Sequence, residues 1–267
     1  MYLCIDVGGT KTIVAMLDKR GKILHSIKFA TLPDEDAFYA NLIQQIKINF
    51  VLTSVKYIAV ALPGVVKDNR AVWYGNLPWQ NLDIAARLEA DFGLPTVVEN
   101  DANLAALAEA RRHHGRSLYL TFSTGIGGGI IENGKIPAKF QDFEPGHTVY
   151  VHRDQSAEWE DIASGKAIRD FYGRNADEIT DPKAWQEVAQ RINLGLAPLL
   201  LSLKPKTVIF GGPVGLALAN YRRPLRKLLK SELGQKTILP RFQIAKYGSM
   251  SVIYGCYFYA KTHFTAK

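Results

Sequence analysis

The sequence predicts an α/β fold built from two related halves, and two observations lead to this prediction. Apolar runs of strand length alternate with longer segments of helical periodicity along the 267 residues. In addition, a strand, a glycine-rich turn and a second strand occur twice, around DVGGTKT (6–12) and around STGIGGG (123–129). Each half is therefore expected to contain one glycine hairpin, and the two halves are expected to face each other.

The first half is predicted to begin with an antiparallel meander. Its three strands are YLCIDV, TIVAMLD and GKILHSIKFA, separated by GGTK and by a second glycine turn. Apolar residues at helical spacing predict a helix over 34–53, with Asp34 or Asp36 as its N-cap. Further strands are predicted at 57–64 and 95–100, and further helices at 82–93 and from Asp101 onward.

The second half is predicted to repeat the opening pattern. A strand at 117–122 is followed by the STGIGGG turn and by a second strand, IIENGKI, with an Asn-Gly turn. Helices are expected at 158–173 and 183–202, then a strand at 206–210 with GGPVG behind it and more helix. The chain is expected to close with a helix, SVIYGCYFYAKTHF.

Composition favours a cytoplasmic globular protein. The sequence is 47% hydrophobic and 22% charged, and no window approaches the ~18 apolar residues of a membrane span. Its two cysteines, Cys4 and Cys256, lie in apolar runs, which is typical of buried thiols in a reducing compartment. The net charge of +8, with clusters at 111–116 and 222–230, fits either a polyanion surface or solvated helix faces, and the second interpretation is favoured. No nucleic-acid-binding motif is present in the sequence, so neither nucleic acid nor membrane is expected as a partner.

DVGGTKT has the residue types of a phosphate-binding turn. Glycines allow close backbone approach and positive φ, so that N–H groups converge on an anion. Thr10 adds a hydroxyl and Lys11 a positive charge, and Asp6 is suited to orient a hydrated Mg²⁺. The stretch matches neither the Walker nor the dinucleotide pattern, and an ordinary hairpin turn remains the alternative.

Three further motifs have a functional and a structural interpretation. Four glycines in STGIGGG exceed what a plain turn needs, which favours a second phosphate loop. GGPVG (211–215) fits a nucleotide loop and a strand-to-helix turn equally well. Asp101, where a strand passes into a helix, is either a helix cap or the base of a phosphoryl transfer. Glu144, His147 and Glu160 offer polar groups for a polyol.

In combination these motifs resemble the ROK (repressor, ORF, kinase) family of the sugar kinase/Hsc70/actin superfamily. The matching stretches are DVGGTKT, ALPGVV, NLPW, GLPTVVENDANLAALAEA, STGIGGGII, EPGH, ASGKAI and VIFGGPVG. The resemblance implies two ribonuclease-H-like (actin-like ATPase) domains flanking a cleft. The smaller domain would comprise 1–110 with the C-terminal helix at about 250–267, and the larger domain 111–249.

The resemblance implies ATP-dependent phosphorylation of a hexose, glucose-like, at a primary hydroxyl, with Mg²⁺ as cofactor. It assigns Asp101 as catalytic base. A sugar-contacting role falls to Gly64, Asn76, Asn100, Asp101, Glu144, His147 and Glu160. Phosphate and nucleotide binding fall to Asp6, Gly8, Gly9, Thr10, Lys11, Thr124, Gly125, Gly127, Gly128, Gly211, Gly212 and Gly215. A homodimer is compatible with the family. A non-catalytic sugar or nucleotide sensor of the same fold is the competing class.

One departure from the family concerns zinc. Many ROK kinases carry CxCGxxGC after the EPGH-type motif and bind a structural zinc there with the histidine. Here the segment is TVYVHRDQSAEWED, without cysteine, and His147 and His152 fall short of the about four ligands that zinc needs. No structural zinc is therefore expected. Because zinc-free relatives include polyphosphate glucokinases and the net charge is +8, polyphosphate is the alternative donor. No repressor-type DNA-binding domain is expected, since the first phosphate loop begins at residue 6.

Overall fold

The computed structural model describes residues 1–265, and the chain divides into two compact units, Met1–Ala108 with residues from Met250 on, and Glu109–Ser249. The strands are β1 Tyr2–Val7, β2 Lys11–Leu17, β3 Ile23–Ala30, β4 Tyr57–Leu62, β5 Val65–Lys67, β6 Arg70–Trp73, β7 Thr96–Asn100, β8 Arg116–Phe122, β9 Ile126–Glu132, β10 Val149–His152, β11 Gln155–Glu158, β12 Thr207–Gly211 and β13 Arg241–Ile244. The helices are α1 Glu35–Asn49, α2 Ile84–Phe92, α3 Asp101–Ala110, α4 Trp159–Ala163, α5 Gly165–Tyr172, α6 Pro182–Leu203, α7 Gly212–Leu216, α8 Leu218–Leu233 and α9 Ser251–Thr265.

The first unit is built on a five-stranded sheet in the order β3-β2-β1-β4-β7. Strands β1 to β3 form the predicted antiparallel meander, and β1, β4 and β7 run parallel. Alternate residues of β1 enter different cores: Leu3 and Ile5 pack with Leu42 of α1, whereas Cys4 packs with α3 and α9. The sheet is thus covered on both faces, and the polar residue Asp6 shares the α3/α9 face with Cys4 because strand side chains alternate.

The second unit repeats this arrangement with a four-stranded sheet in the order β13-β12-β8-β9. Strands β8 and β9 form an antiparallel hairpin, while β8, β12 and β13 are parallel. The segment β9-β8-β12-β13 therefore has the strand order and directions of β2-β1-β4-β7 in the first unit. The α/β class and the repeated glycine hairpin predicted from the sequence are confirmed.

Some elements differ from the sequence predictions. The helix expected over 158–173 is interrupted at Ser164, whose ψ of 165° ends α4 and whose side chain accepts the Ala167 N–H to cap α5. The hairpins β5–β6 and β10–β11 and the strand β13 were not predicted, because strands of three or four residues give too short a pattern. The helix expected over 34–53 ends at Asn49, since Phe50 is extended.

Candidate functional site

Asp6 and Asp101 are two partly buried carboxyl groups of the first unit. Asp6 lies at the carboxyl end of β1, and Asp101 is the first residue of α3, directly after β7. Burial raises the pKa of Asp6 to about 7, with a further contribution from the Asp101 charge and an opposing one from Lys11. Burial also raises the pKa of Asp101 to about 6, although the N–H of Ala102 counteracts it. Asp101 therefore changes protonation state close to neutral pH.

Asn100, rather than Asp101, caps helix α3. The Asn100 side-chain oxygen accepts the Asn103 N–H at 2.9 Å, which is the usual cap contact three residues into a helix. The Asp101 side chain accepts the N–H of its neighbour Ala102, at 2.7 Å, and not that of Asn103 three residues into the helix cap. The sequence left open whether Asp101 is a helix cap, and in the structure the cap is its neighbour Asn100.

Asn100 also connects the end of β7 to the turn after β4. Its side-chain N–H donates to the Gly64 carbonyl at 2.6 Å, which brings two predicted sugar-contacting positions together. Gly64 has φ +88°, and a Cβ there would lie 2.3 Å from the Trp73 carbonyl oxygen, so no other residue fits. Asn76, the third predicted position of this unit, is exposed two residues beyond Tyr74.

Glu99 is a buried carboxylate that sequence reasoning missed. It accepts the Asn100 N–H at 2.9 Å and an Asn103 side-chain N–H at 3.2 Å. It also hydrogen-bonds Tyr259 of α9, whose pKa is raised first by burial and then by Glu99. Glu99 thus holds the strand-to-helix junction that presents Asp101. An acidic residue before Asn-Asp was visible in the sequence, but its burial was not.

The first glycine loop is short and open. The Gly8 N–H donates to the Lys11 carbonyl at 3.0 Å, and Gly9, Thr10 and Lys11 are exposed. The prediction that these glycines adopt positive φ is wrong, since neither Gly8 nor Gly9 has a positive φ. Small size matters at Gly8, where a Cβ would lie 3.1 Å from the Lys11 carbonyl oxygen, but not at Gly9, where a Cβ would face open space.

The second glycine loop is shorter than the sequence indicated. The turn comprises Ser123, Thr124 and Gly125, with the Ser123 N–H donating to the Gly125 carbonyl at 3.0 Å and Thr124 exposed. Gly127 and Gly128 lie in β9, paired with β8, and have no positive φ. The expected glycine-rich turn is therefore mostly strand.

Close packing explains two of these glycines. A Cβ on Gly128 would lie 2.7 Å from Pro145 Cγ and 2.8 Å from Phe143, so the strand lets the EPGH segment lie against it. A Cβ on Gly125 would lie 2.5 Å from Glu160 Oε2. The glycines thus admit neighbouring protein groups as well as leaving backbone accessible.

The GGPVG glycines form a tight junction between β12 and α7. Gly212 has φ +71°, and its Cβ would lie 2.4 Å from the Phe122 carbonyl oxygen at the end of β8. A Cβ on Gly215 would lie 2.9 Å from the Phe210 carbonyl carbon, and Gly211 abuts the Tyr119 hydroxyl. Packing alone accounts for these glycines, and their role on the nucleotide stays a prediction.

Glu144, His147 and Glu160 come together in the second unit, beside the second glycine loop. EPGH forms a 3-10 turn over Pro145–His147. Glu160 Oε2 accepts the Ile126 N–H at 3.2 Å, and a Cβ on Gly146 would lie 2.9 Å from the same oxygen. Glu160 therefore joins the predicted sugar-contacting motif to the predicted phosphate loop.

His147 is surrounded by carboxylates. Its Nδ1 lies 2.8 Å from Glu158 Oε2. Burial by itself would lower the pKa of His147, but the Glu158 hydrogen bond and the charges of Glu160, Glu158 and Glu144 outweigh it, and the pKa is raised. Glu158 is a second residue that the sequence did not single out, because only the β10–β11 pairing brings it to His147.

This cluster fits a structural zinc poorly. One potential ligand atom each from His147, Glu158 and Glu160 lies within 4.8 Å of the others. Structural zinc sites have four ligands, mostly cysteine and histidine, and here one imidazole faces two carboxylates without a cysteine in 148–163. Glu158 Oε2 is also the hydrogen-bond partner of His147 Nδ1, so this carboxylate already has a protein partner.

Several basic residues of the predicted clusters have partners inside the fold. Arg222 donates to the Phe242 carbonyl at 3.1 Å, and Lys230 donates to the Gln235 carbonyl at 2.8 Å. Arg116 pairs with Glu132 at 2.6 Å. Some of the basic side chains therefore have a structural role, as hydrogen-bond or ion-pair partners within the fold. Among residues 1–265, no helix combines the length and the hydropathy of a membrane span.

Comparison with known proteins identifies the family. A fructokinase of Zymomonas mobilis is 27% identical over 266 residues, which cover 86% of each chain. The structure of a ROK family glucokinase from Streptomyces griseus, in complex with glucose and AMPPNP, has a TM-score of 0.79 and 25% identity over 98% of this chain and 99% of its own. A xylose repressor of Caldicellulosiruptor bescii is 26% identical over 248 residues, which cover 74% of this chain and 61% of the repressor. The fold is thus that of the actin-like ATPases, and because the ROK family model matches residues 2–263, the chain belongs to the ROK family.

Proposed function

We propose that this protein is a sugar kinase that transfers the terminal phosphoryl group of ATP to a primary hydroxyl of a hexose. The single observation that carries the proposal is Asp101, a carboxyl group with a pKa of about 6 at a strand-to-helix junction. A general base works best when its pKa lies near the working pH, because it is then both ionised and basic enough to accept a proton. The kinases among the relatives support the same activity.

In the proposed reaction the hexose hydroxyl attacks the terminal phosphorus. Its proton passes to a carboxylate oxygen of Asp101 while the new O–P bond forms. The bond from phosphorus to the bridging oxygen breaks, and ADP leaves with that electron pair. Asn100 caps α3 and bonds the Gly64 carbonyl, so the backbone that carries Asp101 is fixed on both sides.

Hexose binding is proposed for two groups of residues, one in each unit. Gly64, Asn76 and Asn100 provide one group. Glu144, His147 and Glu160 provide the other, with carboxylate acceptors around an imidazole that suit the hydroxyl groups of a polyol. The identity of the sugar depends on these side chains.

The glycine loops and Asp6 are proposed to serve the donor. Gly8, Gly9, Thr10, Lys11, Thr124, Gly125, Gly127 and Gly128 are assigned to the phosphates, and Gly211, Gly212 and Gly215 to the nucleotide. Asp6 fits the role of holding a divalent cation, because it is a partly buried carboxyl group beside the charge of Asp101. A bound Mg²⁺ would neutralise phosphate charge.

A non-catalytic sensor is the second candidate, since a repressor is among the relatives. Sugar binding alone does not require a carboxyl group with a pKa near neutrality, and burying one lowers stability. The retained Asp6–Asp101 pair therefore favours the kinase.

The test is a matrix of acceptors and donors. Glucose, fructose, N-acetylglucosamine and N-acetylmannosamine are each incubated with Mg²⁺ and either ATP or polyphosphate, and sugar phosphate and ADP are quantified. The proposal predicts one sugar phosphate per ADP with at least one hexose. Asp101→Asn protein, purified in the same way, controls for contaminating kinases.

Two other outcomes support the alternatives. If sugar phosphate forms with polyphosphate but not with ATP, polyphosphate is the donor and the proposed phosphorylation of a hexose still holds. Calorimetric binding of a sugar and ATP without any ADP would support the sensor.

A further inference from the structure

The β10–β11 hairpin returns the chain to His147 at its base. Val149, two residues after His147, pairs with Glu158, and the Trp159 N–H donates to the Thr148 carbonyl at 2.9 Å. This register brings Glu158 Oε2 to 2.8 Å from His147 Nδ1. A register shift of one residue would turn Glu158 to the opposite face of the hairpin.

We propose that Glu158 is a positioning residue that fixes the ring of His147 for hexose binding, in a place where the protein uses an ion pair instead of a metal. The inference rests on the proposed sugar-kinase function, which assigns His147 to the hexose. It goes beyond that function, because Glu158 lies between the EPGH and ASGKAI stretches that carry the resemblance to the family and belongs to neither.

The contact sets both the tautomer and the ring orientation of His147. Because a carboxylate can only accept, the 2.8 Å contact requires Nδ1 to carry the proton in the neutral imidazole as well as in the charged one. The ring plane is thereby fixed relative to the hairpin, and a second-partner hydrogen bond of this type is how proteins orient functional histidines.

Orientation, and not folding stability, is what the pair contributes. The side chains of His147 and Glu158 are 36% and 41% exposed. Ion pairs with that exposure stabilise a fold little, because water screens the charges and ordering two side chains costs entropy. A change at Glu158 should therefore alter ligand binding more than the melting temperature.

The far end of the hairpin is also fastened by side chains. Arg153, in the turn, pairs with Glu187 of α6, and Glu187 in turn accepts from the buried Arg191 at 2.9 Å. The Tyr150 and Trp159 rings pack edge to face at 6.4 Å. Protein contacts at both ends thus hold the hairpin to its unit, which is what a structural zinc would otherwise do there.

The experiment compares Glu158→Gln and Glu158→Ala with Asp161→Asn. Asp161 is an exposed residue of α4, three residues after Glu158, so its substitution removes the same charge from a neighbouring position. Alanine should raise the KM for the hexose about ten- to a hundredfold, the range for losing one hydrogen bond to a charged group, with a smaller change in kcat. Glutamine keeps an acceptor and should lie between alanine and the unaltered protein, and Asp161→Asn should leave KM unchanged.

A double-mutant cycle separates positioning from a direct contact. In a His147→Ala background, Glu158→Ala should have no further effect on KM, because the ring that it positions is gone. A full additional loss would overturn the proposal. So would a KM that rises after EDTA treatment and is restored by Zn²⁺, since a metal would then hold His147.

Imidazole ¹⁵N NMR gives a readout that does not need activity. Glu158→Gln should lower the pKa of His147, since Glu144 and Glu160 remain but the hydrogen-bonded charge is lost. Glu158→Ala should in addition remove the preference for the Nδ1–H tautomer, because no acceptor remains at that position. If no sugar is phosphorylated by the unaltered protein, the proposed function fails, and this titration still decides on the Glu158–His147 pair. An unchanged His147 titration would overturn the proposal whatever the activity.

Discussion

The two units have the same hairpin with different chemistry behind it. In the first unit, Asp6 pairs with Ile13 one step before the end of β1, and in the second, Thr121 holds the corresponding place opposite Gly127. The first unit therefore has a carboxylate under its glycine loop, and the second has a neutral hydroxyl. The carboxyl pair of the proposed reaction belongs to the first unit alone.

The loops themselves differ in what covers them. Gly9, Thr10 and Lys11 are exposed, whereas Gly125 and Gly128 lie against Glu160 and Pro145. The repeated hairpin thus fixes where the backbone N–H groups of each loop are presented. The residues beside each hairpin determine whether its loop binds an anion, donates hydrogen bonds or lies next to a group that accepts a proton.

The largest expected effect tests how tightly the second unit is built around its glycines. Gly212→Ala should lower the free energy of unfolding by about 2–4 kcal/mol, because φ +71° strains an alanine and its Cβ would lie 2.4 Å from the Phe122 carbonyl oxygen. Urea unfolding followed by circular dichroism measures this difference.

Gly173→Ala is the matched control for Gly212→Ala. Gly173 also has positive φ, at +68°, but nothing lies within 4 Å of its Cβ position, so the loss should be about 1 kcal/mol. Equal losses in the two variants would show that backbone strain alone, without the close approach to β8, accounts for the glycine at 212.

The pH dependence of catalysis should belong to the first unit. Asp101 must be ionised to accept a proton, and its pKa is about 6. Below that pH, kcat/KM should therefore fall about tenfold per pH unit. The measurement is kcat/KM for the hexose from pH 5 to 8, and a profile that is flat over this range would contradict the role of Asp101.

Much of the fold was predictable, because its signals are local. The strands around both glycine hairpins and the capped helices follow from periodicity within a dozen residues, and their order implied the repeat. Glu99 and Glu158 were not predictable, since burial and a hairpin register give them their partners. Gly127 and Gly128 were assigned to a turn, although they lie in β9. The sequence does not show whether a glycine serves a positive φ or, as at Gly128, leaves room for a neighbour such as Pro145.

A smaller effect concerns the stability of the first unit. The folded-state pKa of Asp6 is raised from 3.8 to about 7, so its contribution to stability is present below pH 4 and lost as the pH rises through 7. Asp6→Asn removes this loss and should raise the melting temperature at pH 8 by about 2–6 °C, with the gain vanishing near pH 4. Differential scanning fluorimetry without added Mg²⁺ measures it.

Asp18→Asn is the control of opposite sign for this prediction. The Asp18 carboxylate accepts the N–H groups of Lys22 and Arg20, and its pKa is lowered by the Lys22 hydrogen bond first. Its substitution should reduce the melting temperature at pH 8. A destabilised Asp6→Asn protein at that pH would contradict a buried, unfavourable charge at Asp6.

The most direct test of the account is single-turnover phosphorylation by Asp101→Asn, with sugar and nucleotide binding measured on the same preparation by calorimetry. The account predicts near-normal dissociation constants, because asparagine keeps the shape, and a rate of sugar phosphate formation about 10²–10⁴ times lower, because the base is lost. A variant that forms sugar phosphate within about threefold of the unaltered rate would contradict the proposal that Asp101 accepts the proton.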